Sequence, residues 1–230
     1  MKTIGLIGGM SWESSIEYYR IINETVRDRL GGLHSAASVM YSVDFAEIEQ
    51  LQMAGRWDES GEILGRAAAS LQAAGADCVV LCTNTMHKVG DAITAAIDIP
   101  FIHIADPTAE AIKGAGLDTI ALLGTNFTMS QDFYKGRLID QHRLNVMIPN
   151  DDDRATVHRI IYEELVVGEI KPESKQAYLD IIGRLTADGA QGVILGCTEI
   201  GLLVKAEDCS VPVFDTTLIH AQAAVVFALG

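Results

Sequence analysis

The 230-residue chain carries 17 Lys and Arg against 31 Asp and Glu, a formal charge of −14. That balance excludes the basic stripe a nucleic-acid binder needs and a polybasic membrane anchor. An apolar fraction of 49 % with 21 % charged residues is ordinary globular usage and excludes disorder.

No apolar run reaches the roughly 18 residues that span a bilayer, and the start, Met1 to Gly9, is too short an apolar run for a secretory signal. Four cysteines are too sparse for a disulfide framework. They are expected as reduced thiols in a cytoplasmic protein.

In chain order, strands are expected at Thr3–Ile7, Ala37–Val43, Cys78–Cys82, Phe101–Ile104, Thr119–Leu123, Leu144–Ile148, Gly192–Leu195 and Val211–Phe214. They are near-continuous aliphatic runs, as strands covered on both faces are. Helical patterns lie between them. Leu64, Ala67, Ala68 and Leu71 share one helical face, with Gly75 where a C-terminal cap belongs. Asp151-Asp152-Asp153 opens a helix expected to reach about Val167, its charge favourable at a helix N-terminus. Strands alternating with helices predict an α/β fold with parallel sheets.

The chain repeats itself. Thr3–Gly9 echoes Thr119–Thr125, Ala74–Thr83 echoes Asp188–Thr198, and Pro100-Phe101-Ile102 echoes Pro212-Val213-Phe214, at offsets of 116, 115 and 112 when the cysteines Cys82 and Cys197 are matched. Two similar lobes with pseudo-two-fold symmetry follow, with a ligand expected in the cleft between them.

Each lobe offers a Cys-Thr pair at the carboxyl end of an apolar strand, where open α/β sheets bind ligands. Helix N-termini there favour a thiolate. Two thiols facing one small molecule suit proton abstraction from one side of a tetrahedral carbon and return to the other, so Cys82 and Cys197 are the expected catalytic pair. Cys78 and Cys209 have no repeat partner and read as packing residues, and the cysteines lack the paired spacing of a structural zinc site. Thr83, Asn84, Thr85, Thr125 and Thr198 sit near the strand ends. They are suited either to a carboxylate and developing enolate charge or to helix capping. Glu199 stands beside Cys197 and is counted with the substrate-binding residues, suited either to orienting a neighbouring donor or to favouring a helix N-terminus. His87 reads as a packing residue. Gly5, Gly8 and Gly9 permit close approach to a ligand but do not form a nucleotide-binding G-x-G-x-x-G.

The stretches Val79–His87 and Val193–Ile200, with Gly8-Gly9-Met10-Ser11-Trp12-Glu13-Ser14, resemble the signatures of the cofactor-independent aspartate/glutamate racemase family. Within it they are most similar to the enterobacterial branch of broad-specificity amino-acid racemases. The resemblance implies an amino-acid substrate, no pyridoxal phosphate, no metal and a homodimer, with the C-terminal helix returning to the first lobe, so that the expected division is 1–98 plus 213–230 for the first lobe and 99–212 for the second. It also implies proton exchange by Cys82 and Cys197, and substrate contacts from Met10, Gln52, Thr83, Asn84, Thr85 and Thr125.

The pattern departs from aspartate-specific members, which carry an arginine near Ile48–Gln52 and a lysine before Gly168. Here the first region has no basic residue and Val166 stands in the second. An anionic side chain would lack charge-assisted bonds worth about 1.5–3 kcal/mol each, which points to a broader or neutral range. Three alternatives remain open: a related isomerase or decarboxylase, a cysteine hydrolase pairing Cys82 with a histidine, and a binding module without turnover.

Overall fold

The computed structural model describes all 230 residues. It divides into two compact units, Met1–Ile104 with His220–Gly230, and Ala105–Ile219.

The first unit contains strands β1 (Ile4–Gly8), β2 (Ser38–Ser42), β3 (Cys78–Leu81) and β4 (Phe101–Ile102), and helices α1 (Trp12–Leu30), α2 (Phe45–Met53), α3 (Trp57–Ala73) and α4 (Gly90–Ala95). The second contains β5 (Thr119–Gly124), β6 (Asn145–Met147), β7 (Val193–Gly196) and β8 (Val213–Asp215). Its helices are α5 (Ala105–Gly114), α6 (Asn126–Ser130), α7 (Lys135–Asp140), α8 (Asp151–Glu163), α9 (Pro172–Ala187) and α10 (Ile200–Leu203). Helix α11 (Thr216–Leu229) begins in the second unit and ends in the first.

Each unit has one four-stranded parallel sheet, ordered β2-β1-β3-β4 and β6-β5-β7-β8. All eight expected strands form, and the fold is α/β as expected. The expected unit boundaries, after residues 98 and 212, fall several residues early. Phe101 and Ile102 pair with Val79 and Val80, which keeps β4 in the first unit, and β8 pairs with β7, which keeps 213–215 in the second. The acidic run opens α8 as expected, with Asn150 Oδ1 accepting from the Asp153 N–H at 3.0 Å. That helix stops at Glu163, and Leu165–Val167 form a separate 3₁₀ turn ending at left-handed Gly168.

Strand alternation sorts the core of the first unit into two layers. Ile4, Leu6, Cys78, Val80 and Cys82 pack with Tyr18, Ile22 and Val26 of α1 and with Ala221, Ala224 and Val225 of α11. Ile7, Val79 and Leu81 pack on the other face with Ile48, Leu64, Ala67, Leu71 and Ile93. The face of α3 read from the sequence is therefore its buried face.

The turn leaving β1 depends on Gly9. Its φ is +93°, and a Cβ built there would lie 2.2 Å from the Val43 carbonyl oxygen. Gly9→Ala is expected to cost about 3 kcal/mol, read as a lower urea midpoint at unchanged slope.

Candidate active site

In the first unit the ends of β1 and β3 meet. The Gly9 N–H donates to Ser15 Oγ at 2.8 Å, and Ser14 Oγ–H donates to the Cys82 carbonyl at 3.5 Å. The Ser14 N–H donates to Ser11 Oγ, which caps α1. Met10 packs in the same apolar cluster as Met86 and Ile48. Gln52 is buried on α2, and its Nε2–H donates to Met86 Sδ at 2.9 Å. Met10, Gln52 and the 3₁₀ turn Thr85–Val89 are thereby brought together. Thr83, Asn84 and Thr85 are buried in the turn that follows β3.

Cys82 is placed differently from its expected role. It lies in the apolar layer under α1 and α11, on the face already taken by Cys78 and Val80, and is 0 % exposed. Burial alone pushes its thiol far above the usual range, with no charge or hydrogen bond opposing it. Cys78, on the same face, is pushed up to about 11 by the same cause.

The backbone register explains the difference. The Asp77 N–H donates to the Thr3 carbonyl as the Gln191 N–H does to the Thr119 carbonyl. The Val79 N–H donates to the Pro100 carbonyl as the Val193 N–H does to the Pro212 carbonyl. Both bonds set β3 and β7 114 residues apart. At that spacing Cys82 corresponds to Gly196, and the counterpart of Cys197 is Thr83. Gly196 leaves no room for a side chain, since a Cβ there would lie 2.8 Å from the Leu123 carbonyl oxygen.

The second unit places the polar groups of its strand ends around Cys197. Thr125 caps α6, its Oγ1 accepting from the Thr128 N–H at 3.3 Å. Cys197 follows β7 and is 8 % exposed. Its Sγ–H donates to Glu199 Oε2 at 2.9 Å, and Thr198 Oγ1–H donates to the same oxygen at 2.8 Å. Burial first, then the negative charge and hydrogen bond of Glu199, hold the Cys197 thiol well above its ordinary range. The nearby backbone N–H groups of Glu199 and Ile200 pull the other way, the Ile200 N–H donating to the Cys197 carbonyl at 3.1 Å. Tyr178 lies fully buried within electrostatic reach of Cys197 and Glu199, its O–H donating to the Val157 carbonyl at 3.2 Å. Thr217 Oγ1–H donates to the Thr198 carbonyl at 3.5 Å, which ties the start of α11 to the thiol loop.

His87 is fully engaged in packing. Its Nε2 accepts from the Ile104 N–H at 3.1 Å, so the ring proton sits on Nδ1 and is donated to the Thr83 carbonyl at 2.8 Å. Burial, then the neighbouring rings of His103 and His220, hold it well below the usual imidazole range. His220 donates from Nε2 to the Ile102 carbonyl and accepts from the Tyr18 O–H at Nδ1. A neutral imidazole with both nitrogens bonded to backbone has no lone pair left to act as base for a thiol. His87 and His220 are therefore engaged and not placed to serve as the histidine of a hydrolase pair.

Near the position of the missing lysine, the cations are already paired. Buried Glu164 accepts from Arg159 at 3.2 Å and from Ser174 Oγ at 2.6 Å, with Lys171 at 3.8 Å. No group of three or more His, Cys, Asp or Glu side chains is placed to hold a metal ion. No helix is long and apolar enough to cross a membrane.

Known proteins place this chain firmly. The sequence profile of the family described as Asp/Glu/hydantoin racemase matches residues 7–224. The solved structure of a candidate Asp/Glu racemase from Yersinia pestis is 59 % identical, covers 100 % of both chains and superposes with a TM-score of 0.93. That of an aspartate racemase homologue from Pyrococcus horikoshii is 36 % identical over 100 % of both chains, with a TM-score of 0.86. The broad-specificity amino-acid racemase RacX of Bacillus subtilis is 21 % identical over 175 residues, which are 73 % of this chain and 72 % of RacX. The chain belongs to the Asp/Glu/hydantoin racemase family.

Proposed function

We propose that the protein is an amino-acid racemase that works without pyridoxal phosphate or a metal. Its acid–base groups at Cα are Cys197 of the second unit and Thr83 of the first. The observation that carries this reading is Cys197, a buried thiol at the end of a parallel strand, bonded to the Glu199 carboxylate. Thr83 enters because it is the positional counterpart of Cys197, whereas Cys82 is walled into the core.

The chemical task is to remove a weakly acidic Cα proton, leaving its electron pair delocalised into the substrate carboxylate. In this reading Asn84, Thr85, Thr125 and the backbone N–H of Thr198 meet that carboxylate and stabilise its growing enolate charge. Met10 and Gln52 line the side-chain end in this reading. With no basic residue in α2 and Val166 in place of the lysine, neutral side chains are the favoured substrates over aspartate. A cytoplasmic homodimer is part of the same proposal.

One observation favours a second reading. Since Cys82 faces the core, the strand ends present a single thiol, and a decarboxylase needs only one protonating group. The fold alone is shared with an arylmalonate decarboxylase variant, at 16 % identity and a TM-score of 0.54.

Incubation with each common amino acid in D₂O separates the readings. Deuterium at Cα with loss of optical purity, strongest for a neutral amino acid, is the expected result. Absence of exchange with every amino acid rejects racemisation, and release of CO₂ from a malonate establishes the second reading.

A further inference from the structure

We infer that Glu199 is the proton partner of Cys197, the two side chains holding one proton between them and passing it from sulfur to Oε2 when the sulfur acts as base. The geometry is direct. Oε2 is 2.9 Å from Sγ and also accepts from Thr198 Oγ1 at 2.8 Å. Both residues are buried, so a proton leaving the sulfur has the carboxylate as its immediate acceptor. The Thr198 hydroxyl fixes which carboxylate oxygen faces the thiol, and the backbone N–H groups of Glu199 and Ile200 stabilise the sulfur once it is ionised.

The proton count balances at each step. In the resting pair the sulfur carries the hydrogen and Glu199 the charge. Transfer along the hydrogen bond gives a thiolate and a neutral carboxylic acid, with the pair's charge unchanged. The thiolate then takes the Cα hydrogen: the C–H bond breaks, S–H forms, and the electron pair stays on the substrate. The pair now holds two protons, and the reverse steps return one to carbon. A lone buried thiolate would have to form at the full cost of desolvating a new charge, whereas the pair only relocates an existing one. Glu199 is thus a positioning and proton-storing residue that acts through Cys197.

The role in turnover rests on the racemase reading, but the shared proton is observable without substrate. The experiment compares wild type, Glu199→Gln and Glu199→Asp. Iodoacetamide labelling of Cys197 is followed against pH by peptide mass spectrometry, alongside Cα deuterium exchange.

Glutamine keeps a hydrogen-bond acceptor but cannot take up the proton, so the thiolate can form only as a new buried charge. Cys197 in Glu199→Gln is expected to label at least about tenfold more slowly near pH 8. Cα exchange is expected to fall at least about 100-fold. Glu199→Asp is expected to label within about threefold of wild type, because the charge remains, and to recover part of the exchange.

Labelling of Glu199→Gln at or above the wild-type rate overturns the proposal, as does wild-type exchange in that variant. If wild type exchanges no amino acid at all, the racemase reading fails, and the labelling comparison still decides whether the proton is shared. Circular dichroism of both variants checks that they are folded, and Glu199→Ala, which also removes the proton acceptor, carries the labelling test if Glu199→Gln is not.

Discussion

Cys197→Ser is expected to lower Cα deuterium exchange at least about 10³-fold, while Cys82→Ser leaves it within about threefold of wild type. The contrast follows from where each sulfur lies. Cys197 has a carboxylate, a neighbouring hydroxyl and two backbone N–H groups arranged around it. A serine hydroxyl keeps the hydrogen bond to Glu199 but is too weak an acid to supply an anion there. The Cys82 side chain lies in the apolar cluster of Val80, Tyr18 and Ala221. Serine at that position buries a hydroxyl among hydrocarbon, so its effect is on stability, about 1–3 kcal/mol, seen as a lower urea midpoint. A mechanism using both thiols predicts loss of exchange in both variants. Equal loss in two folded variants would return Cys82 to the chemistry.

The sequence made the architecture legible because its strands are covered on both faces. Runs such as Cys78–Leu81 and Val193–Gly196 are apolar throughout, and sheet order follows from parallel crossovers of similar length. Cys197 and Glu199 were legible as a pair two residues apart at a strand end. The positional counterpart of Cys197 was not, because matching cysteine to cysteine shifts the second repeat by one residue. In a pleated strand a one-residue shift exchanges the two faces. The signal that resolves it was already in the sequence: Ala74–Leu81 matches Asp188–Leu195 without a gap, and carrying that match forward sets Thr83 against Cys197. The unit boundaries were missed for a related reason. Two- and three-residue strands such as β4 and β8 are held by pairing with a neighbour, which composition does not reveal.

The position of Thr83 leads to the other large effect. Thr83→Val preserves shape and β-branching in a buried turn and removes only the hydroxyl. If Thr83 and Cys197 exchange protons from opposite sides of Cα, its loss leaves one side working. One enantiomer then still exchanges its Cα hydrogen through Cys197 at a rate near wild type, because the proton leaves and returns on the same side. Exchange of the other enantiomer, and racemisation in both directions, fall at least about 100-fold. Thr83→Cys restores an acid of lower pKa at the same place, so racemisation is expected to persist at or above the wild-type rate. A cysteine or threonine exchanged at residue 82 has no such effect, since that side chain faces Cys78 and Val80 in the core. Following both enantiomers separately by chiral chromatography in D₂O reads all of these at once. Symmetric loss of exchange from the two enantiomers in a folded Thr83→Val would mean that the hydroxyl holds the substrate rather than moving its proton. Unaltered racemisation would remove Thr83 from the chemistry and leave the second acid to be found elsewhere in the first unit.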